Sequence, residues 1–142
     1  MTEIENSSRY KVNVLMSTYN GEKYLKEQID SILKQKNVTV KLYIRDDGSK
    51  DSTLNILDRY KEQYPDNIII FSGDNIGFAN SFMYLVHKCE HNDFYAFADQ
   101  DDIWEQNKLE VAIKMIDQKV PLLYASNLQV FDTVENRNYL MY

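Results

Sequence analysis

Four times along this chain a short apolar run stops abruptly at a cluster of turn-forming or acidic residues, and each time an amphipathic helical pattern follows. The runs occupy residues 12–16, 38–44, 68–71 and 94–98. They end in Ser17-Thr18-Tyr19-Asn20-Gly21, Asp46-Asp47-Gly48-Ser49, Ser72-Gly73-Asp74-Asn75 and Asp99-Gln100-Asp101-Asp102. Runs this short, rich in β-branched and aromatic residues, read as strands, and helices between them demand parallel pairing through right-handed crossovers. The expected fold is therefore α/β: a mostly parallel, doubly wound sheet with helices on both faces, formed by residues 1–142 as a single domain.

The elements between the turns can be placed by periodicity. Tyr24, Leu25, Ile29, Ile32 and Leu33 recur at helical spacing, with Asn37 closing the helix. In the second strand Val38, Val40, Leu42 and Ile44 alternate with Thr39, Lys41, Tyr43 and Arg45, which predicts a partly exposed face. Asp51 or Ser52 can cap a second helix with Leu54, Ile56, Leu57 and Tyr60 on its apolar side, ended by Pro65. A third helix, over 77–88, is expected to bury Phe78, Phe82, Leu85 and Val86. Leu109, Val111, Ala112, Ile113, Met115 and Ile116 mark a fourth, and Pro121 precedes a last apolar run at 122–125, with 126–134 read as extended.

In a parallel sheet the C-terminal ends of the strands share one edge, where open α/β sheets bind ligands. Asp99, Asp101 and Asp102 would crowd that edge with like charges, which a hard divalent cation such as Mg²⁺ or Mn²⁺ relieves through oxygen ligands. The structural alternative is an acidic turn with Asp102 or Asn107 capping the next helix. A formal charge of −6 and no basic run argue against a nucleic-acid partner or an anionic membrane surface. Cys89 is the only cysteine, and no apolar stretch has the length of a signal-peptide core or a membrane span, so a cytoplasmic setting is expected. His87 and His91 lie beside Lys88 and Glu90 and read as solvated residues at a helix end. A receiver domain or a haloacid-type phosphatase needs its acidic pair after the first strand, where Ser17-Thr18 stand. A dinucleotide fold needs more glycine there than Gly21.

Taken together, Ser-Thr-Tyr-Asn at 17–20, Asp-Asp-Gly-Ser-Lys-Asp at 46–51, Asn-Ile-Gly at 75–77 and Asp-Gln-Asp-Asp-Ile-Trp at 99–104 resemble the first half of a family 2 glycosyltransferase with the GT-A fold, and its rhamnosyltransferase-like members in particular. The resemblance implies a UDP- or dTDP-sugar donor, Mn²⁺ or Mg²⁺ as cofactor, inverting transfer to a glycan or lipid-linked acceptor, and a role in bacterial cell-surface polysaccharide synthesis. It implies nucleotide contacts from Ser17, Thr18, Tyr19, Asn20, Asp47, Asn75, Gly77, Asn80 and Asp99, with Asp47 reading the pyrimidine imide and Tyr19 beside the base. Asp101 is implied as the direct metal ligand, with Asp99 reaching the ribose or a metal-bound water. Two departures accompany it. The basic residue many relatives carry after the Asn-x-Gly turn is replaced by Phe78-Ala79-Asn80-Ser81-Phe82-Met83, and the family's catalytic base would fall beyond Tyr142. The non-enzymatic rival is an inactive nucleotide-binding half-domain or interaction module, and self-association through an exposed sheet edge is a further expectation.

Overall fold

The computed structural model of the protein describes residues 10–116, 122–126, 128–132 and 137–141. The chain packs as two compact units, Met1–Glu110 and Val111–Tyr142. In the first, β1 (Tyr10–Thr18), α1 (Leu25–Leu33), β2 (Val38–Asp46), α2 (Thr53–Gln63), β3 (Ile68–Ser72), α3 (Phe78–Lys88) and β4 (Phe94–Ala98) follow in strict alternation, and α4 (Lys108–Met115) begins at its end. The four strands form one parallel sheet in the order β3-β2-β1-β4, with Met16 beside Ile44 on one side and Ala98 on the other. The α/β expectation holds, and no helix among the described residues is long and apolar enough to cross a membrane.

Central position explains the burial. Val12, Val14, Leu15 and Met16 of β1 are sealed on both faces. Successive side chains point to opposite faces, so Leu15 and Tyr43 pack with Leu85 of α3. Val14, Met16, Leu42 and Ile44 point the other way, to the face where α1 and α2 bury Leu25, Ile29, Ile32 and Leu57. Each such aliphatic side chain contributes about 1.5–3 kcal/mol on leaving water.

Three expectations change. The predicted exposed face of β2 does not exist at its C-terminal half: Tyr43 and Arg45 are buried because α3 lies over them. In α3 the buried positions are Ser81 and Leu85, while Phe78 is 76% exposed and Val86 42%. The small Ser81 faces the sheet, where the Ser17 hydroxyl donates to its Oγ at 2.8 Å, and this turns the helix so that Phe78 faces outward. α1 ends at Leu33, and Asn37, with φ of 59°, turns the chain into β2.

The second unit holds the rest of α4 and an antiparallel pair, β5 (Leu128–Asp132) with β6 (Arg137–Met141), Val130 opposite Tyr139. The apolar run at 122–125 is not a strand, and Leu123 is 90% exposed. Of the extended segment expected over 126–134, residues 128–132 are strand, whereas Asn127, Thr133 and Val134 lie outside the described residues, as does Pro121.

Candidate functional site

The turns after β1, β2, β3 and β4 meet at one edge, joined by hydrogen bonds. The Asp47 N–H donates to the Thr18 carbonyl at 2.8 Å, continuing the β1–β2 ladder one residue into the turn. Thr18 gives its hydroxyl to Asp46 at 3.0 Å, and Asp46 also accepts from the Ser49 N–H and hydroxyl. Asn20, in the left-handed region at φ 46°, accepts from the Lys50 N–H and donates its own N–H to Ser49 Oγ. Ser17 and Thr18 thus use their hydroxyls to hold neighbouring elements, while Tyr19 and Asn20 stand exposed on the rim.

Asp47, like Asp46, accepts three hydrogen bonds at the edge. Its carboxylate accepts from the Arg45 guanidinium, from Ile76 N–H at 2.8 Å and from Gly77 N–H at 3.0 Å. Burial disfavours its charged form, but the Ile76 N–H, Arg45 and the Gly77 N–H outweigh that and hold the carboxyl below the ordinary value. A carboxylate has about four lone-pair sites, so three donors leave Oδ2 with one to offer. Gly77 supplies its donor from φ 84°, a conformation open to glycine and strained for a side chain. Asn75 accepts from Gly77 N–H at 3.1 Å and Asn80 donates to the Ile76 carbonyl at 2.9 Å, so both brace this exposed turn. His87 and His91 are exposed, as expected, with His87 Nδ1 at 2.7 Å from the Met83 carbonyl.

The acidic loop is held from beneath by a feature that apolar periodicity missed. Gln28, Ser31 and Gln35 form a buried polar ladder on one side of α1 and just past its end. Gln28 donates to the Asp99 carbonyl at 2.7 Å, the Trp104 N–H donates to Ser31 Oγ at 3.0 Å, and Gln35 donates to the Glu105 carbonyl at 2.7 Å while accepting from Leu109 N–H. The spacing i, i+3, i+7 beside the apolar stripe was the available signal. Apolar periodicity and turn chemistry likewise assign no contact to Arg45, Ser81 or Gln100. Arg45 is intelligible only once α3 covers it, where it donates to the Asp74 carbonyl at 3.0 Å and lies 5.2 Å from the Tyr84 ring.

Asp99 and Asp101 are exposed and Asp102 is half-buried. Burial pushes the Asp102 carboxyl up, and the charges of Asp99 and Asp101 add to that. Among the described residues no three carboxylate, imidazole or thiol groups converge to cage an ion alone. Exposed, all-oxygen donors in a negative field nevertheless suit a hard cation that takes its remaining ligands from a phosphate and water, for which one or two carboxylates suffice.

The sequence profile described as Glycosyl transferase family 2 matches residues 13–142. The dTDP-rhamnosyl transferase RfbG of Shigella flexneri is 39% identical over 117 residues, covering 80% of this chain and 40% of that protein. The structure of S. aureus TarS in complex with UDP superposes with a TM-score of 0.65 at 29% identity, covering 73% of this chain and 31% of the TarS chain. A Pyrobaculum calidifontis mannosyltransferase solved with GDP-Man and Mn²⁺ shares the fold, with a TM-score of 0.66 at 24% identity over 77% of this chain and 33% of its own. The chain thus spans well under half the length of these relatives.

Proposed function

The chain belongs to glycosyl transferase family 2, and on that basis we propose that its described edge is the donor half of a sugar-transfer site for a uridine or thymidine diphosphate sugar. The observation that supports this best is the convergence of four turns on Asp47 and Tyr19, through the Thr18, Ile76, Gly77 and Gln100 hydrogen bonds. The remaining lone pair of Asp47 accepts the imide N–H of uracil or thymine. Cytosine presents a lone pair at that atom and is repelled. Tyr19, 46% exposed, offers a ring face beside the base. Asn75, Gly77 and Asn80 border the diphosphate, and Asp99 the ribose.

Asp101, with Asp99, would hold Mn²⁺ or Mg²⁺, which when bound offsets the charge that develops on the departing diphosphate. In the complete reaction a glycan or lipid-linked hydroxyl forms its bond to the anomeric carbon from the face opposite the diphosphate, as the sugar–phosphate bond breaks. No described residue is given the role of general base in this scheme. Similarity to a dTDP-rhamnosyl transferase favours a thymidine-linked donor, and similarity to TarS a uridine-linked one. The imide edge is common to both.

Calorimetric titration of UDP, dTDP, CDP and GDP, with and without Mn²⁺, tests the proposal. The expected result is preferential binding of UDP or dTDP, strengthened by Mn²⁺, with Asp101→Asn abolishing the gain. Equal binding of all four diphosphates with no effect of Mn²⁺ would sink it.

A further inference from the structure

The strand order β3-β2-β1-β4 changes direction between β1 and β4, the switch point beside which open α/β sheets bind their ligands. The ladder joining these strands ends at Met16 and Ala98. Beyond it one side chain spans the gap. The Gln100 amide accepts from Tyr19 N–H at 2.9 Å and donates to the Tyr19 carbonyl at 3.0 Å, taking both backbone groups as a further strand residue would. Gly21 makes the room: a Cβ there would lie 2.3 Å from Gln100 Oε1.

Resting on the donor site proposed above, we infer that Gln100 is a positioning residue that couples the two halves of that site. It ties the base-side turn at Tyr19 to the loop whose carboxylates take the ion. Because Asp99 and Asp101 flank Gln100, an amide pinned to Tyr19 fixes the backbone from which both carboxylates project. Gln28 fixes the same backbone from below through the Asp99 carbonyl. With both anchors in place the Tyr19 turn and the acidic loop order together, so binding at either side lowers the ordering cost at the other. Without the Gln100 bridge only the direct contact between ion and diphosphate would couple the two sides.

The test is the effect of Mn²⁺ on UDP affinity in the full 142-residue chain, measured by calorimetry for the unaltered protein, Gln100→Ala and Gly21→Ala. Gly21 does not occupy the left-handed region, and what a methyl group meets is the terminal amide of Gln100. Gly21→Ala therefore displaces the amide while leaving every residue of the acidic loop unchanged, and it serves even if Gln100→Ala folds poorly. In the unaltered chain Mn²⁺ is expected to strengthen UDP binding by about 5–150-fold, the usual span for coupled sites. Both variants should lose a measurable part of that factor, the part not carried by direct contact between ion and diphosphate. Coupling retained in the variants, with affinity lowered equally with and without Mn²⁺, would reduce Gln100 to a structural brace and overturn the inference alone. Absence of coupling in the unaltered chain would instead overturn the donor-site proposal on which it rests.

Discussion

Arg45 donates its guanidinium to the carboxylate of Asp47, two residues further along, and both side chains are largely buried, at 6% and 3% exposure. A buried pair survives only when most of its remaining hydrogen-bonding capacity is met. Here the Asp74 carbonyl serves Arg45, and the Ile76 and Gly77 N–H groups serve Asp47. The pair thereby fastens the end of β2 to the turn before α3. Removing one partner strands a buried charge, so Arg45→Met should destabilise the chain by about 3–5 kcal/mol. Denaturant unfolding measures this, and an unchanged midpoint would mean that the pair carries no net stability.

The same pair sets an acid limit. The folded-state carboxyl of Asp47 lies below its ordinary value of 3.8, as do those of Asp30 and Asp51. A lowered carboxyl stabilises the fold fully above the unfolded value, and that stability is lost as pH falls from about 4 through the folded value. Arg45 is one cause of the lowering at Asp47, so Arg45→Met should move acid unfolding to higher pH. Circular dichroism during acid titration reads the shift, and coincident curves after allowance for the stability difference at pH 7 would contradict it.

Base choice gives a sharper test of Asp47 than affinity. Asp47→Ala should weaken UDP or dTDP binding by about 1.5–3 kcal/mol, the range for a hydrogen bond to a charged group. CDP loses a repulsion rather than a bond, so the preference for UDP over CDP should collapse. Competition titrations on the folded fraction decide this. A variant that is destabilised yet keeps its preference would leave Asp47 as a turn residue only.

The ladder on α1 predicts a local effect at specific amides. The Trp104 N–H is held by Ser31 Oγ and the Leu109 N–H by Gln35 Oε1. Ser31→Ala should therefore speed hydrogen exchange at Trp104, and Gln35→Ala at Leu109, each with a stability loss of about 1–3 kcal/mol for a buried donor left unpaired. Uniform protection in both variants would show that the loop is held by other contacts.

Strand and helix positions followed from the sequence because apolar spacing is a local property: a run that ends at Ser17 or Asp99 ends there whatever surrounds it. Parallel pairing then places Tyr19, Asp47 and the Asp99–Asp102 loop at one edge, since successive crossovers return each strand in the same direction. Polar side chains were legible only as turn chemistry. Arg45 reads as the exposed half of an alternating strand, and Gln28, Ser31 and Gln35 as solvated helix positions. Only the tertiary structure decides otherwise, by laying α3 over β2 and α1 beneath the acidic loop. A polar group's role depends on which partner is left to satisfy it once water is excluded, and for Gln35 that partner, Leu109, lies 74 residues away in sequence.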